Sequence, residues 1–221
     1  MPQIAPLAIF DLDNTLIAGD SDHLWGEFLV DQGLVDADEY RRGNDLYYAQ
    51  YLEGSLDIFE FLAFSLAPLA RIEQVNLMAL RERFVVERIH PIILPAAKAL
   101  VEQHRQAGDA LMVITATNSF ITRPIVDLLG IDTLIATDPE VRDGRYTGAV
   151  DGIPCFKEGK VQRLRSWLAG HDVDLEQSSF YSDSHNDLPL LQLVGRPVAV
   201  DPDDKLRDHA LRALWPVISL R

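Results

Sequence analysis

Apolar positions along this chain follow two rhythms, and the change between them divides it. Pro6 to Phe10 (PLAIF) is a short unbroken apolar run that stops at Asp-Leu-Asp-Asn-Thr, the pattern of a buried strand opening into a polar loop. From Ser21 to about Ile89 the spacing is helical. Leu24, Trp25, Phe28 and Leu29 share one face of a helix from Asp22 to Gln32, with Gly33 as its stop. Asp36 followed by Glu39 predicts a capping box opening a second helix, which carries Tyr40, Leu46, Tyr47 and Tyr51 and breaks at Gly54-Ser55. Ile58, Phe61, Leu62 and Leu66 line a third helix ending before Pro68, and Ile72, Val75, Met78 and Leu80 begin a fourth.

After His90-Pro91 the pattern becomes an alternation of strands and helices. Pro95 opens a helix that stops at Gly108, and Ala110 to Thr115 (ALMVIT) is the next strand. A helix ending at Gly130 leads to a strand at Leu134 to Thr137, and Asp143-Gly144 has hairpin turn chemistry. A helix from about Gly159 to Leu168 precedes the strand Ser179 to Ser182. Asp187 begins a short helix, Pro197 to Val200 is a strand, and a last helix starts near Asp203. The class is therefore α/β: a doubly wound, mostly parallel sheet built from residues 1–16 and 92–221, with an all-helical insert at 17–91. There is no internal repeat.

Composition narrows the partners. With 221 residues, 48% of them hydrophobic, the chain can bury a substantial core, and 24% charged residues is ordinary for a globular protein. The net charge of −14 and the absence of any lysine or arginine block argue against nucleic acid and anionic membranes as partners. No apolar run is long enough to span a bilayer, and MPQIAPLAIFDLD lacks a basic leader. Cys155 is the single cysteine, so no intrachain disulfide forms, which suits a cytoplasmic location. The oligomeric state has no signature here.

The chemistry gathers at strand ends. Asp11 and Asp13 lie two residues apart just past the first strand, where ligands bind in open parallel sheets. Two carboxylates in one crevice repel unless one is protonated or a cation intervenes, and Mg²⁺ is an ion commonly held by one or two carboxylates with phosphate oxygens and water. A solvated loop or Asx turn is the plainer reading of such a pair. A second acidic cluster, Asp183-Ser184-His185-Asn186-Asp187, follows another strand, so the sheet can bring both to one edge; Asp187 alone could simply cap its helix. Thr115 ends a third strand and Lys160 opens a helix. A hydroxyl, backbone amides and an ammonium are what a transferring phosphoryl group needs, because its catalysis is mainly positioning and charge stabilisation. His185 lies in the acidic motif, but Mg²⁺ prefers oxygen, and no histidine pair has zinc spacing.

The ordered set DLDNTL, ITAT, GKVQRL and SDSHNDLPLL resembles the haloacid dehalogenase-like hydrolases, in particular the phosphoserine-phosphatase-like branch with a helical cap after the first motif. That resemblance implies a Rossmann-like core and a Mg²⁺-dependent phosphomonoester phosphatase. It implies Asp11 as the nucleophile that becomes an aspartyl-phosphate, and Asp13 as general acid and then base. Asp11, Asp183 and the backbone carbonyl of Asp13 would hold the metal, supported by Asp187. Thr115 and Lys160 would hold the phosphoryl oxygens, with Thr117 the competing hydroxyl. Asp13 favours phosphatase over dehalogenase, since an alkoxide needs a proton to leave and a halide does not.

Substrate choice falls to the helical insert. Where the branch has a glutamate for the substrate's amino group, this chain has Asp20, with Asp22 close behind; Asn186 is a further substrate contact. Among Arg41, Arg42, Arg71, Arg81 and Arg83 none stands out as a clamp for a substrate carboxylate. The expectation is a small amino-bearing phosphomonoester, L-histidinol phosphate or O-phosphoserine, with Trp25, Phe28, Tyr47, Tyr48 and Tyr51 available to an imidazole or to core packing. A phosphotransferase or mutase on the same scaffold is the alternative, and a receiver-like signalling module a distant third. Leu16 to Asp20 and His90 to Leu94 are the expected hinges of a lid.

Overall fold

The structure, a computed structural model, describes residues 6–221. Residues 1–5, on which part of the leader reading rests, lie outside the described residues. Strand β1 (Leu7–Phe10) is wholly buried and sits mid-sheet, which is why its run is apolar without alternation. On one side it pairs in parallel with β2 (Ala110–Asn118), then β3 (Thr133–Arg142); on the other with β5 (Ser179–Ser182), then β6 (Arg196–Val200) and β7 (Val217–Ile218). Strand β4 (Arg145–Asp151) closes one edge as an antiparallel hairpin with β3. Its turn is the predicted Asp143-Gly144, both residues at positive φ, as a two-residue hairpin requires. The chain thus winds outward both ways from β1, and the crevice at the C-terminal ends of β1, β2 and β5 is where such a sheet binds ligands.

The segment between β1 and β2 is helical, as its periodicity predicts: α1 (Ser21–Asp31), α2 (Ala37–Glu53), α3 (Ile58–Ser65), α4 (Ala67–Arg71) and α5 (Gln74–Phe84). Asp36 caps α2 through the Glu39 amide, and Gly54 ends it at φ +79°. The third helix ends at Ser65, before Pro68 as predicted, and Pro68 itself sits in the first turn of α4, where its missing N–H has no partner to lose. The buried face of α5 is also rotated from the expected one: Leu77 and Phe84 are buried, while Val75 is 73% exposed. A π-turn at Val85–Ile89 and a 3-10 turn at His90–Ile92 then return the chain to the sheet. The two crossings lie side by side: Ile17 bridges Ile93, and the Ala18 amide donates to the Ile92 carbonyl.

The sheet is covered on both faces by α6 (Pro95–Ala107), α7 (Ser119–Leu128), α8 (Glu158–Leu168), α9 (Leu188–Leu191) and α10 (Asp204–Ala213). One apolar cluster holds β1 and α7 residues together with Trp25, Phe28 and Phe84, whose rings meet each other, Trp25 also meeting Phe120. Helices α1 and α5 therefore share a core with the sheet. Trp25 and Phe28 belong to that core.

Candidate active site

Past β1 the chain turns sharply at Asn14 (φ +55°), and the Asp11 amide is fixed by the Tyr181 carbonyl of β5. Asp11 is buried at 3% exposure. Its Oδ1 accepts from Lys160 Nζ at 2.9 Å, and the same ammonium donates to Asp187 Oδ2 at 2.8 Å. Lys160 reaches this point from the first turn of α8, which is seated tightly: a Cβ on Gly159 would stand 2.1 Å from the Pro154 carbonyl oxygen. The Asp187 side chain makes no capping bond to α9. It accepts instead from Ser182 Oγ at 2.7 Å, so it faces the ion pair. Thr15 joins the two acidic loops, donating to Asp183 Oδ1 at 3.0 Å and accepting from the Asp183 amide at 3.1 Å.

Asp13 stands on a different set of donors. The Ser21 amide reaches its Oδ1 at 2.7 Å, and Thr117 Oγ1 its Oδ2 at 2.9 Å. Thr115 Oγ1 lies 3.4 Å from the same oxygen. Both threonines face Asp13 because β2 runs on to Asn118, and residues two apart on a strand share a face.

Burial dominates the electrostatics. It pushes Asp11 up to about 7, with Lys160 opposing and Asp187 and Asp13 adding to the rise. It also raises Asp13, against the Ser21 and Thr117 hydrogen bonds, and lifts Asp183 well above the usual carboxylate range, with Asp11 and Asp187 adding to it. For Lys160 burial works the other way, but the attraction of Asp11 and Asp187 outweighs it and holds the ammonium charged.

Four acidic side chains around one ammonium leave negative charge to be neutralised. The hydrogen bonds of Asp11 and Asp183 use only one oxygen of each carboxylate. Among the described residues no three His, Cys or acidic side chains form a ready-made metal cage. The oxygen-only donor set, with two carboxylates each keeping an oxygen available, fits an ion that needs few protein ligands, as Mg²⁺ does.

A chamber opens above Asp11, Asp13, Thr115 and Lys160. Its walls are Tyr47, Tyr48, Tyr51, Phe61 and Phe156 with Leu56 and Ile58, and Asp20, Asp22, His23 and Asn44 also line it. Asp20 caps α1, accepting from the Asp22 and His23 amides, and burial together with Asp13 raises its pKa to about 7. None of the five arginines lines the chamber. Arg41, Arg42 and Arg71 are exposed, Arg81 lies over the Phe120 ring, and Arg83 bonds Gln32 and Glu87. Asn186 is off the chamber wall and donates to the Tyr51 carbonyl at 3.0 Å.

A model of the haloacid dehalogenase-like hydrolase family matches residues 8–192. The chain belongs to that family. It is 49% identical over 219 residues to the histidinol-phosphatase of Neisseria meningitidis, an alignment covering 97% of this chain and 99% of the relative. It is 32% identical over 220 residues to a phosphoserine phosphatase of Mycobacterium tuberculosis, covering 97% of this chain and 70% of that one. A Bordetella pertussis protein of unknown function shares the fold at TM-score 0.92 and 45% identity, over 99% of this chain and all of the other. A phosphoserine phosphatase solved as a phospho-aspartyl intermediate analogue matches at TM-score 0.73 and 17% identity, over 99% and 95% of the two chains. The molecule is thus a phosphatase on the haloacid dehalogenase-like scaffold, in the phosphoserine-phosphatase-like branch.

Within this hydrolase several supporting groups carried no sequence signal of their own. The Ser21 amide is a main-chain donor, silent in any sequence. Thr15, Ser182 and Asn44 are common residue types, and only the fold gives them their partners Asp183, Asp187 and the His23 carbonyl.

Proposed function

We propose that this phosphatase hydrolyses a small amino-bearing phosphomonoester through a phosphorylated Asp11. The observation that carries the reading is the Lys160 ammonium shared by Asp11 and Asp187, with Asp13 on separate donors beside it. Lys160 favours the anionic form of Asp11, which attacks phosphorus, and the ester P–O bond breaks as the acyl phosphate forms. Asp13, whose pKa burial raises, gives a proton to the departing alkoxide. It then takes a proton from the water that attacks phosphorus, and Asp11 is released. Thr115 and Lys160 hold phosphoryl oxygens. Asp11, Asp183 and the Asp13 carbonyl, with Asp187 behind them, would hold a Mg²⁺ ion, which would supply positive charge against the phosphoryl group.

The substrate reading rests on the chamber. Asp20 and Asp22 offer negative charge to an amine, while no arginine stands there for an α-carboxylate, which favours L-histidinol phosphate over O-phosphoserine. The likeness to the Neisseria histidinol-phosphatase supports the same choice. We assign residues 17–91 to substrate selection, with 1–16 and 92–221 as the catalytic core. We assign a cytoplasmic setting, which a metabolite substrate and a single buried cysteine suit. Among the described residues no helix is long and apolar enough to cross a membrane.

Phosphate release tests the proposal, across histidinol phosphate, phosphoserine, sugar phosphates and nucleotides, with Mg²⁺ and with chelator. Mg²⁺-dependent release concentrated on an amino-bearing ester is the expected result. Equal turnover of sugar phosphates would overturn the substrate reading, and release requiring an added hydroxyl acceptor would indicate a phosphotransferase.

A further inference from the structure

Asp22 takes no part in the phosphoryl chemistry itself. It is 8% exposed and lines the same chamber as Asp13 and Lys160. Its Oδ2 is buried and meets no hydrogen-bond partner among the described residues. Such an atom costs free energy unless something donates to it. Asp20 does not share this condition, because its Oδ1 accepts two amides of α1.

The neighbours of Asp22 restrict the donor. His23, whose Nδ1 is also buried without a partner, lies against Tyr48 with ring centroids 5.1 Å apart. Tyr47, Tyr51 and Phe61 add further aromatic rings to the same chamber. A sugar offers hydroxyls but no flat face to pack on these rings. An aliphatic amino acid would bring a carboxylate, and the chamber's only lysine or arginine is Lys160, at the phosphate end. A flat ring that packs on aromatic side chains and carries an N–H satisfies both features.

We infer that Asp22 is a specificity residue that accepts an N–H from a planar nitrogen heterocycle, of the imidazole kind, carried by the substrate. This rests on the phosphomonoester reading above and adds to it which residue reads the ring. Burial, with Asp20 and Asp13, raises the Asp22 pKa well above the usual carboxylate range, as expected of an acidic group awaiting a donor.

The test compares kcat/KM for histidinol phosphate with that for phosphoethanolamine, which has the amine but no ring. Asp22→Leu should lower the ratio at least about tenfold, the cost of one lost buried hydrogen bond to a charged group. Asp22→Asn keeps an acceptor oxygen and should lower it less. A ratio unchanged in both variants would overturn the inference, and so would a loss shared equally by the two esters, which is what a structural role gives. Should Asp22→Leu not fold, inhibition of the wild type decides: L-histidinol must bind at least about tenfold tighter than ethanolamine. No phosphate release from any ester would strike the phosphatase reading itself. The ring inference would then be settled by thermal shift, where L-histidinol must raise the melting temperature of the wild type more than that of Asp22→Asn.

Discussion

Lys160 is 3% exposed and neutralises two carboxylates at once. Replacing it with Met leaves Asp11 and Asp187 buried without a counter-charge, and breaking a buried pair in this way costs about 3–5 kcal/mol. Urea denaturation of Lys160→Met without metal should show a loss of that size. Thr117 has a subtler part. Its hydroxyl lowers the Asp13 pKa, so Thr117→Val should raise it and carry the alkaline fall of the phosphorylation step to higher pH. A pH profile of single-turnover rates measures this, and Thr115→Ala should instead weaken inhibition by inorganic phosphate. The acidic residues of the site are legible from sequence because each pair lies within five positions at a strand end. The division of labour between Thr115 and Thr117 is not, since it depends on β2 continuing past Thr115 and on the Ser21 amide claiming the other oxygen of Asp13.

Among the elements, α2 stands apart. Only Tyr40 and Asn44 of its 17 residues are buried, whereas α1 puts Trp25, Phe28 and Leu29 into the shared core. Its C-terminal end is fastened by three side chains: Asn186 to the Tyr51 carbonyl, Lys205 to Glu53 and Lys157 to Gly54. Two of these are cations at a helix C-terminus, where the dipole favours them. Low burial and few fastenings mark a segment that opens locally. Amide exchange should be faster in α2 than in α1 or α5, and Lys157→Ala with Lys205→Ala should quicken α2 selectively. The helices and their stops are readable because Asp36, Gly54 and Gly108 punctuate the periodicity. The buried face of α5 is not, because Ile72 lies outside the helix and Val75 faces solvent, so the real stripe runs through Leu77 and Phe84. Strand β7, two residues long, is too short to show a pattern.

At the scale of the whole molecule, a chain of net charge −14 folds around carboxylates whose pKa values burial has raised, Asp11 and Asp20 to about 7. A carboxylate with a raised folded-state pKa binds protons more tightly folded than unfolded. The metal-free protein should therefore lose stability as pH rises from about 4 to about 7. Mg²⁺ needs the deprotonated carboxylates, so it should raise the melting temperature more at pH 7.5 than at pH 5. Calorimetry at the two pH values checks both signs. That the sheet would be parallel and doubly wound is visible in the alternation after Pro95. That the helical segment would share a core with it is not, because the aromatic contacts of Trp25, Phe84 and Phe120 join residues far apart in the chain.

The central claim is that Asp11 carries the phosphoryl group. It is tested most directly by acid-quenching the enzyme during turnover of histidinol phosphate with Mg²⁺ and mapping its peptides by mass spectrometry. The account expects one phosphoryl group on the peptide containing Asp11, absent with chelator and absent in Asp11→Asn, whose phosphate release should fall at least about 10³-fold. Phosphate release that persists in Asp11→Asn, or a phosphoryl group on any other residue, would contradict it.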